Sequence, residues 1–96
     1  GIDCSAFVRL LHRLSGVTLP RDSYMQFDAG QPIDPPGQPG DLLFFGNGLR
    51  VTHVALSLGG WRIIHSSRAR NGVYEDDVRV VPHLIESFMG ARTFLA

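Results

Sequence analysis

The 96-residue sequence contains no lysine. Its nine basic residues are all arginines, scattered along the chain, and they balance nine acids to a net charge of zero. Such a distribution lacks the massed positive face by which a protein holds nucleic acid or an anionic membrane. No apolar run approaches the ~20 residues of a membrane-spanning helix. There is one cysteine, which excludes an internal disulfide and a multi-thiolate zinc site. Internal repeats and low-complexity tracts are absent. What remains is an ordinary globular composition, 44% hydrophobic with a mean hydropathy of +0.04, sufficient for one small domain with a single modest core. The chain starts abruptly, with Cys4 at its fourth residue. A natural domain rarely begins so close to a candidate reactive residue. The sequence is therefore expected to be a fragment or processed piece, and its lack of a signal peptide says little about compartment.

The lone cysteine opens a helix. Asp3 is the expected N-cap, its carboxylate accepting from the free N–H groups of the first turn. Phe7, Leu10, Leu11 and Leu14 recur at one-face helical spacing, and Gly16 supplies the stop. Ser5, Arg9, His12 and Arg13 take the other side, with His12 read as a solvated residue. Cys4 falls at the margin of the apolar arc, at the positive end of the helix, where a thiolate is favoured. Such a cysteine is a buried structural thiol, a nucleophile, or one ligand of a mixed Cys/His site.

A short extended link, Val17–Pro20, leads to a second brief helix over Arg21–Phe27. Ser23 and Gln26 have capping-box spacing, and Asp22 is the alternative cap. Gly30–Gly40 holds four prolines and three glycines and reads as a surface loop. Asp41–Phe45 is a buried strand, and Gly46–Gly48 turns the chain into a second strand, Val51–Leu58. Trp61–Ser66 is a third strand and Ser67–Gly72 a polar loop. Val78–Val81 is a short strand, His83–Phe88 a helical turn, and Ala91–Leu95 a last strand. This order predicts an α+β domain, with an antiparallel sheet and helices segregated to one side.

His53 and His65 sit on the two neighbouring strands. His12 lies roughly 12 Å along the helix from Cys4, too far to act as its base, and His83 has no assigned role. If Gly59-Gly60 is a two-residue turn, His53 opposes Ser66 and His65 points to the other face. A three-residue loop, Leu58–Gly60, instead sets His53 opposite His65 and Ala55 opposite Ile63, with Cβ atoms about 5 Å apart across the strands. Chemistry predicts the second register. A Cys/His/His set supports a cysteine nucleophile stored as thiolate–imidazolium, one imidazole taking the thiol proton and the other orienting it.

Asp3-Cys4-Ser5, Pro20-Arg21-Asp22-Ser23 with Gln26, Pro39-Gly40-Asp41-Leu42-Leu43-Phe44-Phe45, His53-Val54-Ala55-Leu56 and Ile64-His65-Ser66-Ser67, in this order and spacing, resemble the NlpC/P60 family of cell-wall cysteine peptidases. The resemblance implies a papain-like core, an N-terminal helix packed on a five- to six-stranded antiparallel sheet, with residues 1–96 forming a single catalytic domain. It implies cleavage of peptidoglycan stem peptides, most often between D-γ-glutamyl and meso-diaminopimelate or lysine. Carried over by position, Cys4 is the nucleophile, His53 the base and His65 the orienting residue. Asp3, Ser5, Arg21, Asp22 and Ser23 match cleft-lining positions. Asp3 is suited to a stem-peptide amine, and Arg21 to a stem carboxylate or to pairing with Asp22. The mechanism needs no metal and no cofactor. Implied partners are the stem peptide and, in the full protein, a targeting domain or upstream segment. Neither nucleic-acid binding nor membrane insertion is expected.

Ala6 stands where relatives commonly carry glycine, and the Tyr and Trp-Gly-Gly stretch that precedes the cysteine in relatives is not in this sequence. The family implies export to periplasm or wall, although some relatives recycle recovered peptides in the cytoplasm. Three rival readings stand beside the peptidase: a zinc site of Cys4, His53, His65 and Asp3; a degenerate wall-binding module; and a related amidase or acyltransferase.

Overall fold

The computed structural model describes residues 3–67 and 70–95; Arg68 and Ala69, within the expected loop at Ser67–Gly72, lie outside them. Helix α1 spans Cys4–Leu14. Asp3 Oδ1 accepts from the Ala6 N–H at 2.8 Å, the expected cap. At the other end the Gly16 N–H donates to Arg13 O at 3.0 Å and the Val17 N–H to His12 O at 2.9 Å. Gly16 itself has φ +81°, so the stop is a Schellman turn, which a residue with a Cβ would strain.

The buried face of α1 is rotated from the expected one. Leu10 and Leu14 are 50% and 78% exposed, whereas Val8 and His12 are 0% and 3% exposed. The line Cys4–Val8–His12, one residue per turn, meets the sheet. His12 is therefore not solvated: its ring bonds Val8 O through Nδ1 at 3.1 Å and meets Phe94 edge-on, centroids 6.3 Å apart. Two apolar lines run side by side along α1, and the surface that the helix meets selects between them.

Helix α2 covers Ser23–Ala29. Asp22 stands at its N-cap but makes no capping hydrogen bond; its carboxylate pairs with Arg21 at 3.3 Å. The capping box is not formed, because Gln26 turns inward and is fully buried.

Strands β1 (Gln31–Ile33), β2 (Leu42–Gly46), β3 (Val51–Gly59), β4 (Arg62–Ser67), β5 (Gly72–Asp77) and β6 (Phe88–Thr93) form one six-stranded sheet in the order β1-β6-β2-β3-β4-β5. All neighbouring pairs are antiparallel. Two strands depart from expectation. β1 lies inside the predicted loop, and β5 runs through residues given no element. Val78–Val80, expected as a strand, is a 3₁₀ turn, followed by helix α3 at Pro82–Ser87.

The sheet is covered on both faces. Leu42, Phe44 and Val54 pack with Val8 and Leu19 beneath α1 and α2. Leu43, Phe45, Ala55, Ile63 and Ala91 pack with Val78 of the 3₁₀ turn and Leu84 of α3. The helices are thus not segregated to one side. Leu42–Phe45 alternate bulky apolar side chains to opposite faces, and all four are buried, so each face requires a cover.

The β2–β3 connection is built for close approach. A Cβ on Gly46 would lie 2.0 Å from Arg50 O, so only glycine fits. Phe45 pairs with His53 but Gly46 with Val51, which leaves Thr52 as a bulge immediately before His53. Bulges re-aim the side chains that follow them.

Candidate active site

Cys4 is the first residue of α1 and is half-buried with a free thiol. Beside it Ser5 Oγ donates to Asp3 Oδ1 at 3.0 Å, so the capping carboxylate and the hydroxyl hold each other at the helix start. Burial has the largest influence on the thiol and pushes its pKa up. The Val54 backbone N–H opposes this, the Asp3 charge adds to it, and the N–H groups of Ser5 and Cys4 oppose it. The net effect is upward. Burial therefore outweighs the helix end, and the resting thiol is protonated rather than stored as a thiolate.

Val54 follows His53 on β3, so its amide brings this strand to the thiol. The β3–β4 register is not the one expected. Leu56 pairs with Ile64 and Ser57 with Ile63, while Gly59 pairs with Arg62. The connection is therefore the two residues Gly60-Trp61, with Leu58 bulged out, and the strands have slid by two residues from the predicted pairing. Gly60 does take the left-handed conformation, φ +59°. A shift of two preserves the face, so the imidazoles still meet, but diagonally. His53 Nε2 lies 2.7 Å from His65 Nδ1, the centroids 4.9 Å apart with the rings inclined at 69°.

The polar line continues beyond the two rings. His65 Nε2 lies 2.7 Å from Asp76 Oδ2, and the same carboxylate oxygen accepts from the Arg70 guanidinium. His65 is buried and Asp76 largely so. Asp76 and Arg70 are functional candidates that the sequence reading missed. The available signal was the acidic run Glu75-Asp76-Asp77 within one strand length of His65. Burial pushes the pKa of His53 down to about 4, with the neighbouring rings of His65 and of His83 on α3 adding to the effect. At neutral pH its imidazole is an uncharged acceptor. His53 Nδ1 makes no hydrogen bond among the described residues, and no hydrogen bond joins the rings to Cys4 Sγ there. Nor, among the described residues, does a group of three or more His, Cys, Asp and Glu side chains stand ready to hold a metal ion.

The second helix is tied to the first by Gln26. Its Nε2 donates to Pro20 O at 2.8 Å and to Ser5 O at 3.3 Å. This strut sets the Arg21–Ser23 segment against the start of α1. Of the predicted cleft residues, Asp3 and Ser5 thus flank Cys4, Asp22 and Ser23 begin the adjoining helix, and Arg21 is exposed and paired with Asp22. The arrangement combines a thiol under backbone N–H groups with a neutral imidazole hydrogen-bonded through a second imidazole to a carboxylate. Those are the parts required for nucleophilic acyl transfer.

The NlpC/P60 family model matches residues 1–93. The chain is 40% identical over 100 aligned residues to a γ-D-glutamyl-L-lysine dipeptidyl-peptidase of Bacillus cereus, covering 99% of this chain and 29% of that protein. Among solved structures, an NlpC/P60 family protein from Bacillus cereus superposes with a TM-score of 0.91 at 38% identity, over 100% of this chain and 32% of the other. RipD from Mycobacterium tuberculosis, described as a non-catalytic NlpC/p60 domain protein adapted to peptidoglycan binding, superposes with a TM-score of 0.81 at 26% identity, over 99% and 68% of the two chains. The chain spans only 14% to 33% of the length of curated relatives such as these. The matched model, the sequence identity and the shared helix-on-sheet architecture agree: the chain belongs to the NlpC/P60 family.

Proposed function

We propose that residues 1–96 form the catalytic domain of a cysteine peptidase that hydrolyses peptidoglycan stem peptides at the D-γ-glutamyl–diaminopimelate (or lysine) bond. The observation that carries this reading is the 2.7 Å contact of His65 on β4 with His53, which sits on the strand whose Val54 amide reaches the Cys4 thiol. His53 Nδ1 takes the Sγ proton as sulfur attacks the scissile carbonyl carbon. The oxyanion is met by backbone N–H groups at the start of α1, that of Cys4 among them. His53 then returns the proton to the leaving amine nitrogen, and water, deprotonated by His53, hydrolyses the thioester and restores the thiol. A histidine with a pKa near 4 is a strong acid once charged, which suits the second proton transfer. Asp3, Ser5, Arg21, Asp22 and Ser23 line the cleft, Asp3 facing a stem amine.

The domain acts in the periplasm or wall, where its substrate is, or on recovered peptides in the cytoplasm, alongside a targeting domain or upstream segment. No helix among the described residues is long and apolar enough to cross a membrane. The likeness to RipD favours one alternative, a peptidoglycan-binding domain without turnover. Incubation with tri- and tetrapeptide stems and mass analysis of the products separates the two. Cleavage after D-γ-glutamate, abolished by a thiol alkylator and unaffected by chelator, supports the peptidase. Binding of intact peptide with no product supports the alternative.

A further inference from the structure

We propose that Asp76 is a positioning residue that sets the direction of the hydrogen bonds through His53 and His65, with Arg70 holding it in place. The inference deepens the peptidase reading and rests on it for its kinetic consequence. Two neutral imidazoles that share one hydrogen bond are directionally ambiguous, since either can donate to the other. In one arrangement His53 Nε2–H donates to His65 Nδ1, and the lone pair of His53 is left on Nδ1. In the other, His65 donates, its Nε2 carries a lone pair, and His53 presents a proton at Nδ1 where a base is needed.

A carboxylate resolves the ambiguity because it only accepts. With Asp76 Oδ2 at 2.7 Å, His65 Nε2 must carry the proton; a lone pair there would face an anionic oxygen. His65 Nδ1 is then the acceptor, His53 Nε2–H the donor at 2.7 Å, and His53 Nδ1 the open base. The direction of the whole line follows from one anion at its far end.

The anion is itself secured. Arg70 donates to Asp76 Oδ2, and its guanidinium lies 4.0 Å over the Tyr74 ring, whose hydroxyl donates to Arg70 O at 2.9 Å. Tyr74 pairs with His65 across β4–β5, so one edge strand supplies both the carboxylate and the platform for its cation. Burial pushes the Asp76 carboxyl up, but the hydrogen bonds from His65 and Arg70 and the guanidinium charge outweigh it, and it is held below the ordinary carboxylate range.

The test is ¹⁵N NMR of the histidine rings at neutral pH in the parent chain, Asp76→Asn and Asp76→Glu, with stem-peptide kinetics on the same samples. The parent is expected to show His53 and His65 as single Nε2–H tautomers. Asp76→Asn, isosteric but able to donate as well as accept, mixes the tautomers of both rings and lowers kcat roughly 10²-fold with KM unchanged. Asp76→Glu restores much of both signals. Single Nε2–H tautomers persisting in Asp76→Asn would overturn the proposal, as would a loss confined to KM. The two readings fail separately: a parent with the expected nitrogens and no hydrolysis sinks the peptidase, whereas hydrolysis with mixed parental tautomers sinks the role of Asp76.

Discussion

The two halves of the site are built differently. The thiol half is local: Asp3 caps the helix that Cys4 opens, Ser5 ties back to Asp3, and the nearby N–H groups belong to Cys4, Ser5 and one residue of β3. The imidazole half is assembled across three strands, with His53 on β3, His65 on β4 and Asp76 on β5. The first half depends on a few consecutive residues, the second on register and on a bulge before His53. Burial acts on both with the same result, raising the thiol pKa and lowering that of His53. A neutral pair is the state in which two partly desolvated groups rest, because burial penalises whichever form is charged.

That contrast can be broken from either side. The largest effect is expected at the thiol half: Cys4→Ala lowers stem-peptide turnover on the order of 10⁴-fold or more, read by product mass analysis, with the thermal midpoint little changed. In the imidazole half, His65→Ala leaves the proposed nucleophile and base in place but removes the ring proposed to orient them. A fall of roughly 10² to 10³-fold in kcat is expected, and steady-state kinetics that instead show only a KM change would place His65 outside the chemistry. The sheet supporting both halves has its own sensitivity. Phe44 is fully buried and meets Phe27 at 5.2 Å, so Phe44→Ala should cost about 3–5 kcal/mol in denaturant titration.

The pH dependence of stability has a definite sign. The folded-state pKa of His53 is about 4 against an ordinary 6.5, so between these values the unfolded chain binds more protons. Its stabilising contribution is complete above about pH 6.5 and is lost as pH falls toward about 4, amounting to about 3 kcal/mol. Urea titrations at about pH 7 and about pH 4.5 for the parent and His53→Asn isolate it, the parent losing more stability than the variant. Smallest of all, Leu14→Ala should change stability by less than about 0.5 kcal/mol, because Leu14 is 78% exposed. A loss of about 2 kcal/mol there would restore the helix face expected from periodicity.

Local features were legible in the sequence and non-local ones were not. The Asp3 cap and the Gly16 stop follow from residues adjacent in the chain. The apolar run at Leu42–Phe45 announces a buried strand, as observed. Periodicity points to the wrong face of α1 because Phe7, Leu10, Leu11 and Leu14 form the more obvious apolar line, while the sheet accepts Val8 and His12. β5 carries no strand signal because an edge strand need not alternate apolar and polar residues. Val73, Tyr74 and Glu75 are all exposed, and Glu75 is paired with Arg62. The meeting of His53 with His65 was anticipated, but through the wrong pairing. Side-chain parity depends only on whether the register is odd or even, and the Gly60-Trp61 turn together with the one-residue bulge at Leu58 moves the pairing by two from the expected one without changing the face. Asp76 could not be connected to His65 without β5.

Whether Cys4 and His53 act together on a γ-glutamyl amide is decided by digestion of a free tripeptide. The chain is incubated at neutral pH with the tripeptide L-alanyl-γ-D-glutamyl-meso-diaminopimelate, and the mixture is analysed by mass spectrometry beside Cys4→Ala and His53→Ala. Diaminopimelate is expected from the parent chain and from neither variant. Intact tripeptide in all three, or equal release by the parent and His53→Ala, would contradict it.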